Sequence, residues 1–74
     1  METYIDVYLS TEGEKASKVH KKLIDMNLKP TIGDHDYVYN WEGLATIEEE
    51  MDFIQKVQSK LKGTGVILKF KTLR

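Results

Sequence analysis

The chain contains no cysteine. That absence excludes a disulfide framework, a thiol nucleophile and any cysteine-based zinc or iron–sulfur site. It has one proline and five glycines, placed singly as punctuation, with no repeat and no linker-like tract. No segment approaches the roughly 18 consecutive apolar residues of a membrane-spanning helix. The opening Met1-Glu2-Thr3-Tyr4-Ile5-Asp6 carries acids where a secretion signal would be basic and then apolar, so the expected compartment is the cytoplasm. There is no surplus of positive charge: eleven Lys plus Arg stand against twelve Asp plus Glu, a net charge of -1. The large basic excess of a non-specific nucleic-acid binder is excluded, but a local basic stripe is not.

At 41% hydrophobic and 31% charged over 74 residues, the composition is that of one small globular domain spanning residues 1–74. So short a chain needs its apolar side chains for its own core and has few to spare for a large enzyme pocket. Residues 3–10 alternate, with Ile5, Val7 and Leu9 on one face and Tyr4, Asp6 and Tyr8 on the other, the period of a strand. Thr11 and Glu14 have the spacing of a capping box. Ala16, Val19, Leu23 and Met26 then fall on one helical face, Lys15, Lys18, Lys21 and Lys22 form a solvated stripe, and Asn27 and Pro30 end the helix.

Leu28–Ile32 reads as a short edge strand, where a proline is tolerated. Gly33-Asp34 reads as a tight hairpin, and Asp36–Trp41 as an aromatic, β-rich strand. A second capping box, Thr46 with Glu49, opens a helix whose stripe is Ile47, Met51, Ile54, Val57 and Leu61, with Phe53 beside it. Glu48, Glu49 and Glu50 at its start complement the helix dipole, and Gly63 ends it. Val66–Leu73 alternates again, with Val66, Leu68 and Phe70 opposed to Ile67, Lys69 and Lys71.

The order strand, helix, short strand, strand, helix, strand is that of a ferredoxin-like βαββαβ plait of the α+β class. A four-stranded antiparallel sheet should have its first and third strands central and both helices on one face. The expected core of the outer elements is Ile5, Val7, Leu9, Val66, Leu68 and Phe70. The open face then carries Tyr4, Asp6, Tyr8, Ile67, Lys69 and Lys71 as the candidate ligand or partner surface. For the third strand two orientations stand. Tyr37, Tyr39 and Trp41 turned to the helices make the better core. Val38 turned inward would bury Asn40 at a cost of a few kcal/mol and leave three aromatics on the open face.

Tyrosines beside lysines on a sheet suggest stacking of single-stranded RNA, but Asp34-His35-Asp36 stands where an RNA-recognition strand carries a basic residue and glycine. His35 between two aspartates has ligand chemistry, yet adjacent strand residues diverge, so neither a metal nor any other cofactor is expected. His20 is read as a surface residue. Ser10, Ser17 and Ser59 lack a base at motif spacing, and no catalytic residue is assigned.

The run Gly33-Asp34-His35-Asp36-Tyr37-Val38-Tyr39 resembles the Gly-x-Tyr-Asp hairpin and following apolar strand of small ligand-sensing plaits. These are the Lrp/AsnC-type effector (RAM) domains and their ACT-like relatives. Gly33 and Asp36 are the positions that correspond, with Asp34 between them in the hairpin. The resemblance implies a regulatory module that oligomerises through its sheet and binds a small effector at the subunit interface. A homodimer through the open face is therefore the leading expectation. The single-stranded RNA module using Tyr4, Tyr8, Lys69 and Lys71 is the alternative.

Overall fold

The computed structural model describes residues 1–74 and shows an α+β chain of four strands and two helices. They are β1 (Glu2–Tyr8), α1 (Ala16–Asp25), β2 (Lys29–Pro30), β3 (Tyr37–Asn40), α2 (Ile47–Lys60) and β4 (Ile67–Leu73). All strand pairings are antiparallel, and the order across the sheet is β2-β3-β1-β4. The first and third strands are thus central and β4 is an edge. No helix is long and apolar enough to cross a membrane.

One face of the sheet and both helices share a single core. Ile5 of β1, Val19 and Leu23 of α1, Leu28, Val57 of α2 and Leu61 just after it form its buried cluster. Val7, Tyr37, Tyr39, Phe53, Val66, Leu68 and Phe70 pack against it. Burying each of the larger apolar groups is worth about 1.5–3 kcal/mol before entropy is subtracted. Tyr37 and Tyr39 therefore point toward the helices. They lie opposite Ile5 and Thr3, and Tyr39, Trp41 and Phe53 form a three-ring cluster with centroids 4.3–5.3 Å apart. The Trp41 indole N–H donates to the Thr3 hydroxyl at 2.9 Å, and Thr3 also hydrogen-bonds Thr72 at 2.8 Å, so the buried threonine is satisfied.

The helix ends show local chemistry at work. After Met26, Asn27 adopts φ 65°. Its N–H donates to the Ile24 carbonyl and that of Leu28 to the Leu23 carbonyl, which is a Schellman closure. At α2 the Thr46 hydroxyl accepts from the Glu49 N–H and the Glu49 carboxylate accepts from the Thr46 N–H, completing the capping box.

Several expectations are corrected. The Thr11–Glu14 box does not form: α1 begins at Ala16 behind Lys15, which caps it without a side-chain bond. The donor that Thr11 needed, the Glu14 N–H, goes instead to the Thr64 carbonyl at 2.9 Å. Gly13 makes that approach feasible, since a Cβ there would lie 2.5 Å from the same carbonyl oxygen. Strand β1 ends at Tyr8 and leaves Leu9 exposed, and Ala16 is exposed too.

Strand β2 is only two residues long, with Ile32 fully exposed beyond it. The connection is correspondingly a longer loop and not a tight Gly33-Asp34 hairpin. Thr31 closes it by donating its N–H to the Asp36 carbonyl at 3.0 Å and its hydroxyl to the His35 carbonyl.

On α2, Ile47 and Met51 lie outside the core and Glu50 lies inside, 5% exposed. Its carboxylate pairs with the Arg74 guanidinium, which also donates to the Ala45 carbonyl at 3.3 Å. Glu50 therefore has a packing role beyond complementing the dipole.

Candidate functional site

The side of the sheet turned away from the helices is built by strict alternation. Glu2, Tyr4, Asp6 and Tyr8 of β1 stand opposite Leu73, Lys71, Lys69 and Ile67 of β4 respectively. On the other flank Tyr4 is opposite Val38, and Val38 opposite Lys29. All six residues expected on this face, Tyr4, Asp6, Tyr8, Ile67, Lys69 and Lys71, are brought together there. Acidic Glu2 and Asp6 run down β1, with Lys69 and Lys71 on one side and Lys29 on the other. At one end the Tyr8–Ile67 pair is apolar and open, 55% and 69% exposed.

Tyr4 is fixed from two directions. Its hydroxyl donates to the Glu2 carboxylate at 3.1 Å, and the His35 ring stacks on it, centroids 4.8 Å apart and 30° between planes. The Glu2 carboxylate, first as hydrogen-bond acceptor and then as a charge, pushes the Tyr4 phenol above the usual tyrosine range, with desolvation adding to the effect. His35 Nδ1 meets Asp6 Oδ1 at 3.0 Å. The pair is an imidazole held by a carboxylate, and Asp6 supplies the only side-chain hydrogen bond to that ring.

His35 belongs to this face although alternation counted back from Tyr37 would turn it toward the helices. Ile5 is opposite Tyr37, yet its carbonyl also accepts from the Asp36 N–H at 3.2 Å. Two consecutive residues thus oppose one, the action of a bulge, and the alternation shifts by one position. The other hairpin residues do not join the face. Gly33, at φ 116°, has open space around it and Asp34 is exposed. Asp36 turns its carboxylate to the Val7 N–H at 2.8 Å and so ties the loop to β1. Val38 follows from the favoured orientation of the third strand, with Tyr37 and Tyr39 turned to the helices, whereas Lys29 could have been read only with the β2–β3 register in hand. Glu2 needed the strand to start earlier than the alternation suggested.

A second polar contact lies at the other layer. His20 Nδ1 and the Tyr37 hydroxyl share a 2.7 Å hydrogen bond at a cleft of about 410 Å³ that Val7, Ala16 and Asp36 help to line. Desolvation first, and the Asp36 carboxylate second, hold the Tyr37 phenol above its usual range. Nowhere do three or more His, Asp or Glu side chains gather in a metal-holding group.

No protein-family profile, curated protein or solved structure matches this chain significantly.

Proposed function

We propose that the chain is a ferredoxin-like plait acting as a regulatory or scaffolding module, without catalytic activity, that pairs with a second copy of itself through the open sheet face. The strand order with β1 and β3 central supports the plait. The observation that carries the association is the row of cross-strand pairs Glu2–Leu73, Tyr4–Lys71, Asp6–Lys69 and Tyr8–Ile67. A two-fold axis lying parallel to these strands, above the seam between β1 and β4, sets β1 of each copy over β4 of the other. Asp6 of one copy then meets Lys69 of the other, Tyr4 meets Lys71, and Tyr8 meets Ile67. A patch that is self-complementary in this way is what an isologous dimer requires. Dimerisation also removes the exposed Tyr8–Ile67 pair from water, which is favourable in proportion to the apolar area covered.

The likeness of the Gly33–Tyr39 segment to Lrp/AsnC-type and ACT-like sensing plaits supports the same reading and adds a small effector bound at the interface. Sedimentation over a concentration series tests it. The 8.6 kDa chain should sediment as a dimer, and a Tyr8→Ser/Ile67→Ser variant as a monomer. A wild-type chain that stays monomeric at high concentration ends the proposal.

The second reading, a single-stranded RNA module, draws support from Lys29 joining Lys69 and Lys71 on the same face, since three ammonium groups around Tyr4 would suit phosphates. Glu2 and Asp6 on the central strand oppose it, and His35 already occupies one side of the Tyr4 ring. Resonances of Tyr4, Lys69 and Lys71 that shift with mixed RNA oligomers, and lose the shift steeply as salt rises, would select this reading over the dimer.

A further inference from the structure

We infer that the free edge of β4, together with the groove beneath α2, is a docking site for an extended peptide of a partner protein. The peptide alternates apolar and acidic residues and adds as a fifth strand. Strand β4 is an edge along its seven residues, with β1 as its one neighbour. Its two sets of side chains differ sharply. Leu68 and Phe70 turn toward the helix layer and stay half-buried, while Lys69 and Lys71 stand exposed on the other side.

Gln58 of α2 and Leu61 at its C-cap, with Val66, Leu68 and Phe70, line a groove of about 500 Å³ along this edge. Ile47, Met51 and Ile54 lie at helical spacing on the same side of α2 as Gln58, and Ile47 and Met51 are 58% and 54% exposed. They prolong the apolar wall toward the Arg74 end of the strand, where Arg74 holds Glu50 of α2. The α2 stripe that the core leaves unused thus overlooks the one long strand edge that the sheet leaves unpaired.

The chemistry of the occupant follows from the alternation. Directly opposite residues of neighbouring strands share a face. A strand added to β4 therefore turns alternate residues into the groove, where apolar groups are wanted, and the intervening ones toward Lys69 and Lys71, where carboxylates are wanted. A second copy of this chain is a poor occupant of the edge. Antiparallel pairing of two β4 strands that keeps both helix layers on one side sets lysine opposite lysine, whether the register centres on Lys69, Phe70 or Lys71. Like charges so placed are destabilising, and lysines on an edge are a recognised guard against self-pairing. The edge is thus closed to itself and matched to an acidic strand, a mode of recognition in which backbone bonds provide affinity and alternate side chains provide specificity.

The test uses the full chain in the Tyr8→Ser/Ile67→Ser background, so that open-face pairing plays no part. Three capped decapeptides are titrated while amide resonances are followed: alternating valine and glutamate, alternating valine and lysine, and a valine block joined to a glutamate block. The alternating acidic peptide should shift Leu68–Leu73 and Met51 and slow amide exchange in β4, and the other two should not. Lys69→Glu/Lys71→Glu should weaken the acidic peptide roughly tenfold and admit the lysine peptide. Met51→Glu, at an exposed position, should weaken it while leaving the fold intact. The inference is overturned if the acidic peptide leaves β4 unmoved at millimolar concentration or if both alternating peptides bind alike. It is overturned equally if β4 amides become protected without peptide as the protein is concentrated.

Discussion

The two faces of the sheet are made from the same strands and obey different rules. On β1, Thr3 and Ile5 are 1% and 0% exposed, while Tyr4 and Asp6, alternating with them, stay half-buried. Toward the helices, side chains are selected for volume, and the few polar groups, Thr3, Glu50 and Thr64, each have a hydrogen-bond partner. Toward solvent, side chains are selected for charge and pairing: acids in the middle, lysines at the sides, a histidine brought in from a loop. The comparison teaches that the covered face carries the packing of this protein, while the open face carries the charged and paired side chains on which the proposed association rests. Substitutions should separate accordingly.

The largest effect belongs to the covered face. Ile5→Ala should cost about 3 kcal/mol by denaturant unfolding, the usual result of truncating a fully buried branched side chain. A loss below about 1 kcal/mol would mean that the helix layer does not seal the sheet as described.

Next comes the one charged group on that side. Arg74→Ala strands the Glu50 carboxylate in a site where it is 5% exposed. Removing one partner of a buried pair is costly, and because the Arg74 side chain is itself 48% exposed the expected loss is nearer to about 2 kcal/mol. Glu50→Gln/Arg74→Ala should recover part of it. No recovery would place the cost elsewhere than in the uncompensated carboxylate.

The two capping-box sequences provide an internal control. Thr46→Ala should cost about 1 kcal/mol, whereas Thr11→Ala should fall within about 0.5 kcal/mol, because the Glu14 N–H is already taken by the Thr64 carbonyl. Equal losses would contradict the hydrogen-bond assignment.

Tyr37 sharpens the comparison through pH. Desolvation on the covered side raises its phenol above 10.0, so folding favours the protonated form. That contribution is fully present below pH 10.0, the unfolded value, and is lost as pH rises through the folded value. The denaturation midpoint should fall in the alkaline range, and Tyr37→Phe should flatten the fall. A midpoint equally steep in the variant would assign the titration to other groups.

The smallest effect is on the open face, where Lys69→Ala should change stability by less than about 0.5 kcal/mol while weakening self-association in the same sedimentation assay. A large loss of stability would mean that this lysine holds the fold together.

The order of elements and the two periods, 2 and 3.6, were legible in the sequence because they are local. So were the Thr46–Glu49 box and the Asn27 stop, since the chain around each has no competing partner. The open-face set of six residues followed from β1 and β4 alternation alone. What was not legible depends on contacts between distant positions. Thr11 has the same spacing to Glu14 as Thr46 to Glu49, but a carbonyl fifty residues further on takes the donor.

On α2, both Ile47–Met51 and Glu50–Val57 lie at helical spacing, so period alone does not say which flank enters the core. Arg74, from the far end of the sheet, decides for Glu50. His35 reached the open face because two residues oppose Ile5 where alternation counts one. Strand β2 shortened because Asn27 turns the chain just before it and Thr31 bonds across the loop just after it.

The central claim is that the open face is where this protein meets its own copy. Solvent paramagnetic relaxation, read residue by residue at low and high protein concentration, tests it most directly. The account predicts that Tyr4, Asp6, Tyr8, Ile67, Lys69 and Lys71 become shielded together on concentration while Lys18 and Glu48, on the helices, stay fully accessible. Shielding confined to the helices, or none on either side, would contradict it.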